Sequence, residues 1–197
     1  MTATRGEGAS LRGPYAKGIR RRQEILDKTL DVVVNRGVHQ TSLRAIAETI
    51  GVSHSVLTHY FGSREALLVE VIRQHDNDVE EHIGSQPSVI DGMMAGAALN
   101  IQVPGLVALF TSLMAMSVEQ DSEDATKYFR ERYELARRDL VEALRGEMSA
   151  RHSLTDVDLE NVSALILAAF DGLQVQWLLD PSVDIGASLN LIKRIIH

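Results

Sequence analysis

The chain has 197 residues, with 20 basic and 27 acidic side chains and no cysteine. Disulfides, thiolate metal sites and cysteine nucleophiles are therefore excluded, and the length gives room for one large or two small domains. A net charge of −7 argues at first against a nucleic-acid partner, but the charge is unevenly placed. Residues 1–60 hold nine Lys/Arg against five Asp/Glu, and residues 61–197 hold eleven against twenty-two. A basic N-terminal third on an acidic remainder suggests one module that meets phosphate and another that does not.

In chain order, residues 1–16 lack the apolar run of a signal peptide and are expected to form a flexible arm. A first helix is expected over 17–35, with Ile25, Leu26, Leu30 and Val33 on one face and Gly37 closing it. Lys17, Arg20, Arg21 and Arg22 crowd its start, where the helix dipole disfavours cations. A solvated basic face satisfies that run taken alone; ahead of a DNA-binding motif, phosphate anchoring explains it better.

That motif is TSLRAIAETIGVSHSVLTHYFGSRE, residues 41–65. Thr41 or Ser42 caps a helix to residue 50 whose apolar residues Leu43, Ile46, Ala47 and Ile50 recur at helical spacing. Gly51 permits a sharp turn, and Ser53 caps a second helix to residue 60, with Val56, Leu57 and Tyr60 facing inward. Two short helices joined this way place the second in a DNA major groove. Ser53, His54, Ser55, Thr58 and His59 are then its outward, hydrogen-bonding positions. An ordinary αα-corner in a helical protein satisfies the same apolar pattern.

Ser63 opens a fourth helix, Arg64 to about His82, followed by a turn at 84–87. Residues 88–100 and 105–118 read as two buried helices broken at Pro104. The uncharged stretch 92–118 is interrupted by Asn100, Gln102, Pro104 and Gly105, leaving pieces well short of the roughly 20 residues a bilayer needs, so a soluble, cytoplasmic protein with no membrane contact is expected. A long helix runs from Ser122 to about residue 150. Thr155 and Asp158 resemble a capping box for the next helix, which stops at Asp180-Pro181, and a last helix covers about 184–196. No strand alternation is present, so the fold class is all-α, with about nine helices.

The stretches KGIRRRQEILDKTLDVVVNRG, TSLRAIAETIGVSHSVLTHYFGSREALL, YFRERYELARRDL and DGLQVQWLLDP together resemble the TetR (tetracycline-repressor-like) family of transcriptional regulators. The resemblance implies a three-helix DNA-binding domain over 17–62 and a ligand-binding, dimerising domain over 63–197. It implies a double-stranded operator as partner, a small-molecule effector, repression as the default mode and no catalytic activity. Arg44 matches a position that reaches a base edge or phosphate, a role suited to bidentate guanine contact. Ser53, His54, Ser55 and His59 match groove-facing positions, with Thr41 and Ser42 beside them. Tyr60 and Arg64 match phosphate contacts. Thr58 departs from the family, which often has Tyr there.

In helix 156–179 the residues Leu159, Val162, Ile166, Ala169, Leu173 and Trp177 form one apolar seam. Leu165, Ala168, Gly172, Val175 and Leu179 form another. A helix apolar on nearly all sides must be buried on nearly all sides, which fits either a central core helix or a dimer interface. The interface is assigned to Leu159, Val162, Ile166, Ala169 and Leu173 of the first seam with Leu189 and Ile192 of the following helix, where Ile195 adds to the apolar contribution. Met93, Met94, Gln102, Phe110, Met114, Tyr128 and Trp177 are candidates for an adaptable, largely apolar effector pocket. His75, Asp78 and His82 share a face at metal-ligand spacing, but the acids around them read as a solvated face. His54 and His59 lie about 140° apart and cannot share a metal. No metal, cofactor or catalytic constellation is assigned.

Overall fold

The computed structural model describes residues 14–38, 41–148 and 155–196, and these contain nine α-helices and no strand. They are α1 (Pro14–Arg36), α2 (Leu43–Ile50), α3 (His54–Phe61), α4 (Arg64–Ile83) and α5 (Val89–Asn100), then α6 (Pro104–Glu119), α7 (Glu123–Met148), α8 (Asp156–Leu179) and α9 (Ile185–Ile196). The first helix starts three residues earlier than expected, because proline at the first helical position gives up no hydrogen bond and fixes a helical φ. The rest of the expected arm, residues 1–13, lies outside the described residues.

Capping sets most boundaries. The side chains of Ser42, Ser53 and Ser63 accept hydrogen bonds from the backbone N–H groups of Ala45, Val56 and Ala66 respectively. Gly51 takes φ +74, the left-handed value that the turn between α2 and α3 demands. Thr155 and Asp158 form the reciprocal capping box, and the hydrogen bonds from Thr155 hold the Asp158 carboxyl below the usual carboxylate range. Pro104 opens α6 after the break from α5.

The core is divided lengthwise. One cluster joins Ile25, Leu26 and Val33 of α1, Ile46 and Leu57 of the helix-turn-helix, Leu67, Leu68 and Ile72 of α4, and Leu109 and Leu113 of α6. The expected boundary at residues 62–63 therefore crosses continuous packing. Backbone meets backbone at one point: a Cβ on Gly105 of α6 would lie 2.7 Å from Cα of Val34 in α1.

A second cluster joins Ile90, Leu140, Leu144, Leu159, Ile166, Leu167, Ile185 and Leu189. This corrects the seam assignment. Leu159, Ile166 and Leu189 are buried within the protomer, and Val162, Leu173 and Ile192 pack half-buried against the same cluster. The face left outward belongs to the other seam: Leu165 is 70% exposed and Leu179 83%, and Val157 of α8 and Leu191 and Ile195 of α9 are exposed as well. By length and composition alone α8 is apolar enough to cross a bilayer. Its inner face, however, carries the buried polar residues Ser163 and Gln174 against α5 and α7.

Candidate functional site

Two short helices present the N-terminal surface. Leu57 and Phe61 anchor α3 in the core, which turns His54, Ser55, Thr58 and His59 out to solvent. Ser53 serves as the cap and lies 2.9 Å, oxygen to oxygen, from Ser55. The Thr58 hydroxyl donates back to the His54 carbonyl at 3.1 Å, and His59 packs edgewise on Tyr60 at 5.6 Å. No carboxylate lies on α3. On α2, Arg44 is exposed and pairs with Glu48 across one turn, at 3.1 Å. Lys17, Arg20 and Arg21 are exposed on α1, Arg21 beside Glu24.

Three of the expected DNA contacts have other work. Thr41 is buried, its hydroxyl donating to the carbonyls of Gly37 and Val38, while Ser42 is the exposed cap. Arg22 pairs with Glu70 of α4 and lies over the Phe61 ring at 5.2 Å, binding α1 to α4. Arg64 donates to the carbonyls of Thr41 and Val38 and pairs with Glu65 at 2.9 Å. Its guanidinium ties Thr41 and Val38 to the start of α4, a role set beside the phosphate contact expected of it.

The second site is a narrow cavity between α4, α5, α6, α7 and α8, with about 30 Å³ of free space. Ile72, Leu106, Val107, Phe110 and Phe170 supply its apolar wall, and His75, Asp76, Asn100, Thr111, Arg132, Asp171 and Gln174 its polar one. His75 donates to Asn100 at 2.8 Å, Asn100 to Gln174 at 2.8 Å, and Gln174 to the Phe170 carbonyl at 3.4 Å. Arg132 donates twice to Asp76, at 3.0 and 3.1 Å, and stacks over Phe110 at 4.9 Å. Burial opposes the charge of Arg132, but the hydrogen bonds and charge of Asp76 outweigh it and hold the guanidinium more firmly protonated.

Tyr128 donates to Asp76 and Tyr133 to Asp171, and burial first, then the carboxylate partner, pushes both phenols up. Asp171 has no ion pair among the described residues, its hydrogen bond coming from Tyr133. Burial pushes its carboxyl up, against the lowering effects of Tyr133 and Arg132.

Of the expected pocket residues, Phe110 alone lines this cavity. Tyr128 backs it through Asp76, and Met114 stands behind Tyr133 at 3.7 Å. Met93, Met94 and Trp177 lie in grooves elsewhere on α5 and α8, and Gln102 is exposed, bonded back to the Ala98 carbonyl. The polar residues that do line it went unassigned. Asp171 was the available signal, since it is the only charge between Glu160 and Asp180 in an otherwise apolar helix. His75, Asp78 and His82 do not converge: His75 turns to Asn100, Asp78 accepts from Gln74, and His82 bonds the Asp78 carbonyl. Among the described residues no group of three could hold a metal.

Comparison with known proteins agrees with this layout. Residues 25–71 match the bacterial regulatory proteins of the tetR family, and residues 94–197, over half the chain, match the C-terminal domain of BetI-type transcriptional repressors. The chain belongs to the TetR family of transcriptional regulators. Within it, the HTH-type transcriptional regulator BetI of Vibrio vulnificus is 26% identical over 185 residues, covering 90% of this chain and 89% of that one. A transcriptional regulator from Rhodococcus sp. Rha1 has the same fold, with TM-score 0.72 and 18% identity over 89% of this chain and 95% of its own. A regulator structure from Saccharomonospora viridis, solved in complex with choline, superposes with TM-score 0.66 at 15% identity, covering 87% and 94%. As in other TetR-family regulators, the helix-turn-helix forms a DNA-binding module.

Proposed function

We propose that this TetR-family regulator represses transcription by binding a palindromic operator as a homodimer, and that a small organic cation in the α4–α8 cavity releases it. The observation that carries the effector reading is Asp171, a carboxylate at the cavity wall with no ion pair among the described residues, the hydrogen bonds of the nearby Arg132 going to Asp76. Phe170 adds an aromatic ring, a group that attracts cations as Phe110 does Arg132. This replaces the largely apolar effector expected from the methionines. The choline held by the Saccharomonospora viridis structure is a molecule of this class. The outward stripe of Val157, Leu165, Leu179, Leu191 and Ile195 supports a symmetric four-helix contact with a second copy, which a two-half-site operator requires.

On the DNA side, α3 reads bases through His54, Ser55, Thr58 and His59. Arg44 reaches a base edge or phosphate, and Lys17, Arg20 and Arg21 meet the backbone. The test selects operators from random duplexes and titrates the complex with choline, following fluorescence anisotropy. Allosteric coupling of the usual size weakens operator binding by roughly 5–150-fold, and operator weakens choline binding by the same factor. Selection of no duplex refutes the DNA reading. Operator binding that no organic cation alters refutes the effector reading.

A further inference from the structure

The narrow cavity has an outer neighbour. A groove of about 560 Å³ lies between α4, α5, α7 and α8, lined by Val79, Glu80, Ile83, Gly92, Met93, Gly96, Asp139, Ala143, Glu147 and Phe170. The two voids occupy successive turns of the same helix faces. On α4 the row Ile72, His75 and Asp76 of the cavity continues as Val79 and Ile83 of the groove. On α5 the groove residues Gly92, Met93 and Gly96 lead to Asn100 of the cavity, and on α7 Asp139, Ala143 and Glu147 lead to Arg132. Phe170 is the one described residue that lines both.

We infer that groove and cavity are two sections of one entry channel and that the Phe170 ring is the gate between them. Size supports this. The inner section has room for about one water, whereas ligand sites commonly measure roughly 300–1,000 Å³, so a ligand needs the ring to swing aside and join the sections. Charge supports it as well: among the described residues the groove lining carries Glu80 and Asp139, the latter paired at its rim with Arg138, and no basic side chain, a lining that favours cations over anions. The charge selectivity of the channel rests on the cationic effector proposed above; the gate does not.

The absence of cysteine allows a direct test in the full-length protein. Thr111→Cys places a single thiol in the cavity wall, and its modification is timed with neutral methyl, cationic trimethylammonium-ethyl and anionic sulfonatoethyl methanethiosulfonates. Phe170→Ala and the milder Phe170→Leu, each checked for a native helical circular dichroism spectrum, should speed the neutral reagent by about tenfold or more. Unchanged neutral-reagent rates in both variants overturn the gate. The cationic reagent should outpace the anionic one by about tenfold, and Glu80→Gln with Asp139→Asn should narrow that ratio. Equal rates for the two charged reagents, with the Phe170 effect intact, refute the cation reading and leave the gate standing.

Discussion

Replacing Arg64 with alanine separates two accounts of one residue. As a phosphate contact, its loss would leave stability unchanged and lower the slope of log K against log salt by about 0.9 per contact removed. As a clamp, its loss acts on the fold. Val38 keeps the hydroxyl of Thr41 as a donor, so that carbonyl loses about 1 kcal/mol of hydrogen bonding. The Thr41 carbonyl has no other partner among the described residues and becomes a buried acceptor without a donor, costing about 1–3 kcal/mol. Partial access of water to the vacated site tempers the sum to about 2–3 kcal/mol. Urea unfolding at constant protein concentration measures the loss, and operator anisotropy at four salt concentrations measures the slope. Arg64→Lys should recover part of the stability, since an ammonium reaches one carbonyl where the guanidinium fork reaches two. Unchanged unfolding with a reduced salt slope would refute the clamp.

Neutralising Lys17 and Arg20 together should reduce the salt slope by about 2 per protomer without altering which duplexes are selected, whereas Arg22→Ala should lower stability through the lost Glu70 pair and Phe61 stacking. Leu165→Glu, on the outward stripe of α8, should weaken dimerisation by about 2 kcal/mol or more in sedimentation equilibrium, roughly a thirtyfold rise in Kd. Ile166→Ala, one residue away in the protomer core, should instead cost about 2–4 kcal/mol of unfolding stability. Asp171→Asn should raise Tm at pH 7 while abolishing the response to choline. Because burial raises the Asp171 carboxyl, the folded protein binds its proton more tightly than the unfolded chain, so its contribution to stability falls as pH rises through the folded value. The gain from Asp171→Asn should therefore vanish below about pH 4, where both states carry the neutral acid; thermal melts across that range check it.

The helix-turn-helix was legible because its determinants are local. Ser42, Gly51 and Ser53 act on backbone groups within four residues, and the 3.6-residue pattern of Leu43, Ile46, Ala47 and Ile50 selects one buried face. Helix α8 offers no such preference. Apolar on nearly every side, it leaves the inward stripe to be settled by what α5, α7 and α9 bring against it, and so Leu159 and Ile166 went inward while Leu165 and Leu179 stayed out. The cavity was hidden for a related reason. His75, Asn100 and Gln174 are separated by 25 and 74 residues and become partners only when three helices converge. Asp76 sits in an acidic run with Asp78, Glu80 and Glu81, and nothing local marks it as the one Arg132 turns inward. Arg64 illustrates the same limit, since its carbonyl partners lie 23 and 26 residues earlier in the chain.

The contact between Gly105 and Val34 has a mechanical consequence. Side chains at most helix crossings act as springs, absorbing a displacement of an ångström by changing rotamer. With no Cβ on Gly105 and its α6 backbone seated directly against α1, that compliance is missing. Leu106 and Val107, the next two residues, already form part of the cavity wall. A displacement of that wall therefore meets α1, the helix carrying Lys17 and Arg20, with no side chain of residue 105 in between to absorb it.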